Sequence, residues 1–570
     1  MNLLKKLSKR FKIFGAVILF LVITFTTFSF VNTDFEVSKN LDIFATLYKE
    51  LNNNYVDDVN PGDLIKTAIE SMLESLDPYT NFIPESDLED YKLLTTGQYG
   101  GVGAFVHRDG DNLVISDPYE GFPAQKNDLR AGDIIVEINN QSVKGKSTEN
   151  ISELLRGQPG TTIKLLIRRE GEPKLIEKNI TREEIKVENI PYSGMLNETT
   201  GYFKLNGFTQ NAGKEVKDVI LKLKESPNLK SIIFDLRGNG GGLLNEAVNI
   251  VNLFVEKGQT VVKTIGKLKD KNNSHVTLNA PIDLNIPIVI LVDKGSASAS
   301  EIVTGAIQDL DRGVIVGQRT YGKGLVQNVV SLSYNTKLKV TVAKYYIPSG
   351  RCIQAIDYSH RNEDGSVGNV PDSLINEFKT KVGRVVYDGG GIEPDVIIEP
   401  KEISDITGSL YSKLLIFNYA TKFRRENEKI APAKEFQVSD AVYNDFITFI
   451  SNKDYDYSTT SEKSLNDFKE EAIKHNCFDA VKNEYEALKS KMMHNKKADL
   501  NTYKNEIKQL LKEEIVSRYY FQKGRIEASL AADDEIAKSI EILNDNAKYN
   551  AILNGSFVDP KKTIRKSKKK

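Results

Sequence analysis

The chain has 570 residues, 40% hydrophobic and 27% charged, an ordinary globular mix that is too long for one core; at ~100 to 200 residues per domain, three or four domains are expected. A net charge of -1 removes any global pull toward nucleic acid. Two cysteines, Cys352 and Cys477, lie too far apart in sequence to suggest a disulfide framework or a zinc ligand set.

Segment 1–32 opens the chain as an export signal or anchor. Lys5, Lys6, Lys9, Arg10 and Lys12 precede an uncharged apolar run over 13–31, close to the ~20 residues a spanning helix needs, and no A-x-A cleavage site follows. A retained inner-membrane anchor is favoured over a cleaved signal. The basic flank stays in the cytoplasm, so everything after Thr33 faces the periplasm, or is exported to it if the segment is removed. Over 33–95, Leu41, Phe44, Leu47, Tyr48 and Leu51, then Leu64, Ile65, Ala68, Ile69, Met72 and Leu73, recur at helical spacing.

Over 96–185 the texture changes to short β runs at 102–107, 113–116, 134–138, 162–169 and 174–181, with one helix at 148–155. The region 186–400 alternates strands and helices as an α/β core does. Val216, Val219, Ile220 and Leu223 form a helical stripe, and 231–236 and 286–292 read as buried strands, with a helix at 243–255. A helix at 301–310 and strands at 314–316, 325–332 and 338–347 follow. Charged, helix-favouring sequence fills 401–556, read as a helical accessory region with a polar linker over 452–461. The basic tail 557–570 reads as solvated chain.

Ser296, Ser298 and Ser300 sit where the strand 286–292 gives way to a helix, the kind of junction at which hydrolases present a nucleophile. Spacing does not choose among the three. Ser298-x-x-Glu301 also reads as a capping box, a purely structural role. His107, His275, His360, His475 and His494 are scattered and no GxSxG is present, so a lysine base fits better than a Ser-His-Asp triad. Gly317 through Lys323 fits the GxxxxGK of a phosphate loop, but residue 324 is glycine and 325–330 reads as strand, so nucleotide binding is rejected. Asp235 and Arg237 read as a structural ion pair, and the glycine-rich 239–242 as a tight strand-to-helix turn.

Gly121 through Asn139, with its Leu129-x-x-Gly132-Asp133-x-Ile135 core, resembles the helix and following strand of a PDZ domain. The resemblance assigns Val102, Gly103 and Ala104 to the loop that takes a peptide's C-terminal carboxylate on backbone N–H groups, with the peptide adding as a strand along 104–106. Asp128 stands where that family often has glycine, and the alternative is a β sandwich without a ligand. Asp235 to Leu244, Gly295 to Ile302 and Tyr321 to Gln327, with Leu76 to Thr80 and Tyr346 to Arg351, resemble the carboxyl-terminal processing, or tail-specific, protease family.

That likeness implies a multidomain α/β fold: a ClpP/crotonase-like peptidase core with an inserted PDZ domain and helical N- and C-terminal regions. It makes Ser298 the nucleophile, Lys323 the general base and Gln327 the residue orienting the lysine, and it puts the oxyanion hole at the N–H groups of Gly242 and Ala299. Chemistry agrees: a hydroxyl needs a base, and a lysine at its ordinary ~10.4 serves only if burial lowers it. Lys323 and Gln327, four apart on one expected strand, should face one side, and Glu301 is left to the helix end. Implied partners are protein or peptide substrates with free C-termini and a membrane through the first segment, with room for a regulatory adaptor and a homo-oligomer. No nucleic acid, metal or cofactor is implied. The competing reading is a degenerate PDZ scaffold or adaptor in the cell envelope. Between 354 and 389 a polar insert replaces a short link and is expected at the surface.

Overall fold

The computed structural model describes residues 34–492, 496–557 and 559–562, in two compact units. The 13–31 apolar run, and with it the anchor reading, lies outside the described residues, as do His494 and 563–570 of the basic tail. Among the described residues no helix is long and apolar enough to cross a membrane.

The first unit runs to Phe82 and takes in 329–332 and 337–340. Its helices cover 34–54 and Pro61–Glu74, the second started by Asn60, whose side chain accepts from Gly62 N, and by a proline in the first turn. The expected helical spacing is realised, yet much of the apolar stripe is bare, with Phe35, Leu41 and Leu47 all exposed.

The second unit holds the rest. Its β domain has a sheet ordered β1 (Ala104–Asp109), β2 (Asn112–Pro118), β3 (Ile134–Ile138), β4 (Thr162–Arg168) and β5 (Ile176–Thr181), with helix α1 (Thr148–Leu155) packed on it. Strand β1 pairs with β2 and is an edge of the sheet. Asp128 adopts a positive φ of 56°, held by Arg130 and Arg169 on its carboxylate, so the turn expected of glycine survives with a short polar side chain in its place.

The central sheet runs β6 (Tyr192–Met195), β7 (Thr200–Lys204), β8 (Ser231–Asp235), β9 (Ile288–Val292), β10 (Val314–Gly317) and β11 (Val396–Ile397), parallel throughout except β6–β7. Strand β9 is wholly buried, and its alternation divides two cores. Ile288, Ile290 and Val292 join the cluster beneath α2 (Ala212–Lys224), α3 (Leu244–Val251) and α4 (Ala299–Asp309), whereas Val289 and Leu291 join the opposite one. At ~1.5 to 3 kcal/mol for each fully buried aliphatic side chain, such a two-sided strand is a strong local commitment to the fold.

The opposite core is closed by α7 (Asp534–Asn544) and α8 (Asn546–Leu553), through Ile536, Ile542, Leu543, Tyr549 and Ile552. The accessory reading of the C-terminal region therefore applies to the helices before them, among them α5 (Leu415–Glu426) and α6 (Lys504–Ser529, broken at Tyr520–Phe521), which have their own core. Tyr549 Oη bonds both the N–H and the carbonyl of Ile288 at the start of β9.

Candidate active site

The functional segments converge beyond the carboxyl ends of adjacent parallel strands, where open α/β sheets place their ligands. The glycine loop 238–242 follows β8, the serine segment follows β9 and the Lys323 loop follows β10. Ser298 enters α4 with φ 57° and ψ -112°, an unusual backbone for a residue with a Cβ.

The three serines differ in what holds them. Ser296 Oγ is buried, accepting from Asp293 N at 3.0 Å and donating to Leu236 O at 2.8 Å. Ser300 Oγ is buried and donates to Asn239 O at 2.9 Å. Ser298 is half-buried, and its backbone is gripped on both sides: its N–H donates to Glu301 Oε2 at 2.9 Å and its carbonyl accepts from Tyr345 Oη at 3.2 Å.

Asn239, fully buried, ties the glycine loop to this segment. Its carbonyl accepts from Ala297 N, its Oδ1 accepts from Gly241 N at 2.8 Å, and its Nδ2 donates to Leu205 O at 2.7 Å. Gly241 lies so close that a Cβ there would stand 2.8 Å from Ser298 Cβ and 2.9 Å from Ala299 N, with φ at +100°. Gly242, φ +149°, is pressed on the Phe208 backbone, where a Cβ would meet Phe208 O at 2.5 Å. The N–H groups of Gly242 and Ala299 have no acceptor among the described residues; Ala299 follows Ser298 at a helix N-terminus, and Gly242 follows the Gly241 that lies against Ser298.

Lys323 is half-buried in the extended loop two residues ahead of the strand Leu325–Ser331, so the expected shared strand begins only after it. Its backbone, rather than strand pairing, fixes it: Lys323 N donates to Glu301 Oε2 at 2.9 Å. Gln327 is within the strand and its Nε2 donates to Thr341 Oγ1 at 3.1 Å, which leaves its amide oxygen as the end able to accept from an amine. The first residues of the polar insert pack against this loop. Gln354 Oε1 accepts from Gly324 N at 2.7 Å and Ala355 N donates to Gly322 O, before two short hairpins, Ile356–Arg361 with Val367–Asn369 and Glu377–Lys379 with Val385–Tyr387.

The capping box expected at Ser298 and Glu301 is present, and Glu301 does more than close the helix end. Its carboxylate also accepts from Thr320 Oγ1 at 2.6 Å and Gly322 N at 2.7 Å, joining the serine and lysine segments. Burial pushes the carboxyl up to about 7 against the pull of those donors and the backbone N–H groups of Ser298 and Lys323. Asp235 goes the other way: burial would raise it, but the Arg237 guanidinium outweighs that and holds it below the usual carboxylate range. Arg237 in turn meets Asp533 and Glu535 at the start of α7, bracing the root of the glycine loop.

No described histidine bonds Ser298. His360 contacts Asp357 and Ser359, but both through Nδ1 on an exposed hairpin, which is no relay geometry.

A family profile, Peptidase family S41, matches residues 199–359, the span that carries the glycine loop, Ser298 and Lys323. The Probable CtpA-like serine protease of Staphylococcus aureus (strain MRSA252) is 34% identical over 348 residues, 60% of this chain and 68% of that protein. The chain belongs to peptidase family S41. A second relative, the Probable CtpA-like serine protease of Staphylococcus haemolyticus (strain JCSC1435), is 35% identical over 308 residues, 54% of this chain and 61% of that one. Among solved structures, the photosystem II D1 C-terminal processing protease is 27% identical, covering 63% of this chain and 92% of its own, with a TM-score of 0.35. This S41 chain is thus a serine-type peptidase of the C-terminal processing, CtpA-like kind.

A PDZ domain profile matches 114–169, and Probable PDZ-protease, C-terminal helical domain matches 406–543. The β domain of this S41 peptidase is therefore a PDZ domain. Val102 is buried in its core with its carbonyl accepting from Ala124 N, and Gly103, φ +75°, is too close to Phe122 for a Cβ; the Gly103 N–H has no acceptor among the described residues. Asn239, Glu301 and Thr341 were not read as site residues from sequence. The Glu301 spacing was legible, but only as a cap; Asn239 fell inside the glycine motif without a role of its own, and nothing in the sequence marks Thr341 apart from its neighbours.

Proposed function

We propose that this S41 peptidase is an endopeptidase working through a Ser298–Lys323 dyad, and that its PDZ domain selects substrates by their free C-termini. The observation that carries the reading is the contrast among the serines. Ser296 and Ser300 donate their hydroxyl protons to buried backbone oxygens, while Ser298 opens α4 as a capping-box residue whose oxygen faces the N3 backbone, beside the unpaired N–H of Ala299 and the glycine loop. Lys323 takes the Ser298 Oγ proton as the oxygen attacks the scissile carbonyl, and the oxyanion that forms accepts from Gly242 N and Ala299 N. The lysine then delivers the proton to the leaving amine, and water, deprotonated by the same lysine, releases the acyl group. Gln327, held by Thr341, orients the amine.

The open edge of β1 beside Gly103 supports strand addition by a peptide whose carboxylate meets the loop Val102–Gly103–Ala104. The basic flank and apolar run before residue 32 support an inner-membrane anchor and substrates in the cell envelope. The test compares cleavage of one unfolded protein made with a free-acid and with an amidated C-terminus. The reading expects the free acid to be cut at least about tenfold faster, a 1.4 kcal/mol difference in capture. Equal rates refute C-terminal recognition.

A further inference from the structure

Glu301 has no interaction with solvent: it is fully buried, and all four of its hydrogen-bond contacts come from donors. A helix cap needs one such bond. Here Oε2 accepts from the backbone N–H groups of both Ser298 and Lys323 at 2.9 Å each, and Oε1 takes Gly322 N and the Thr320 hydroxyl. Thr320 Oγ1 already accepts from Ile392 N at 2.7 Å, so its proton is committed to the carboxylate. A protonated acid would point an O–H at one of these donors, and a glutamine would turn its NH2 on two of them.

Resting on the Ser298–Lys323 reading above, we propose that Glu301 is a positioning residue acting as an ionised carboxylate. One oxygen pins nucleophile and base to a common point, and protonation uncouples them. Lys323 enters through its backbone, and Tyr345, which feels the Glu301 charge, is kept neutral chiefly by its own burial. Asp309, further along α4, is paired with Arg351, and Asp293, before the serine segment, accepts from Gly238 N and Gly295 N. These groups leave Glu301 as the carboxyl whose proton bears on the dyad.

The experiment measures kcat, KM and the pH dependence of kcat/KM for the full chain, wild type and Glu301→Gln, with folding followed by circular dichroism at each pH. In the wild type two protons must leave, from Lys323 and from Glu301, so log kcat/KM climbs with a slope reaching two on its acid limb. In Glu301→Gln the slope falls to one, kcat drops about 100-fold and KM stays within about threefold, as expected when reacting groups are displaced without loss of substrate contacts. A wild-type slope of one, or a folded Glu301→Gln with unchanged slope and kcat, overturns the proposal. If Glu301→Gln fails to fold, the wild-type slope decides. Lys323→Ala separates the two levels: retained activity there sinks the dyad itself, whereas an inactive Lys323→Ala beside a normal Glu301→Gln sinks only the role of Glu301.

Discussion

Ser298 and Ser300 are two positions apart and chemically identical, and what separates them is whether a backbone oxygen has claimed the hydroxyl. Ser300→Ala removes a buried bond to Asn239 O, which keeps Ala297 N as a donor, so stability should fall by about 1 kcal/mol while cleavage persists. Ser298→Ala should fold normally and cleave nothing. Urea unfolding and a cleavage assay on both variants check the contrast, and an inactive, folded Ser300→Ala would count against it. Glu301 adds a pH signature to stability. Its carboxyl is raised from 4.5 to about 7 in the folded chain, so the folded state binds the extra proton, and this contribution is present below about 4.5 and lost as pH rises through about 7. Relative to Glu301→Gln, the wild type should therefore lose unfolding free energy between about pH 5 and pH 8, and a parallel pair of curves would contradict the assignment.

At the scale of elements, the site is a contact between loops following neighbouring strands, and the glycine loop has the least tolerance. Gly241→Ala places a methyl against Ala297 O, Ser298 and Ala299 N in a left-handed backbone, so kcat should drop by about 10² to 10³, the usual cost of losing an oxyanion donor. Retained kcat in a folded Gly241→Ala would show that the loop does not serve the oxyanion. The strands carrying these loops were readable in the sequence, because Ile288–Val292 is an unbroken apolar run and Ser231–Asp235 has an apolar centre, Ile232 to Phe234, of the kind two-sided burial demands. The Lys323 loop was not. Four residues of spacing to Gln327 suggested one strand, but the chain around Lys323 is held by Glu301 and Gln354, partners 22 and 30 positions away that no periodicity encodes.

Over the whole molecule, the last helices are part of the catalytic body. Charge and helical spacing made 401–556 look uniform, and only the packing separates α5 and α6, with their own core, from α7 and α8, which close the back of the central sheet. Ending the chain before Asp533 should leave the peptidase core unfolded, since it strips the sheet's second face and takes Asp533 and Glu535 from Arg237. A cooperatively folded, active truncation would contradict this. The central claim, that Ser298 attacks with Lys323 as its base, is tested most directly by covalent labelling. The full chain is treated with a fluorophosphonate, and the adduct is mapped by peptide mass spectrometry in wild type and Lys323→Met. The account predicts an adduct on Ser298, none on Ser296 or Ser300, and labelling lost in Lys323→Met; an adduct on another serine, or an unchanged rate without the lysine, would contradict it.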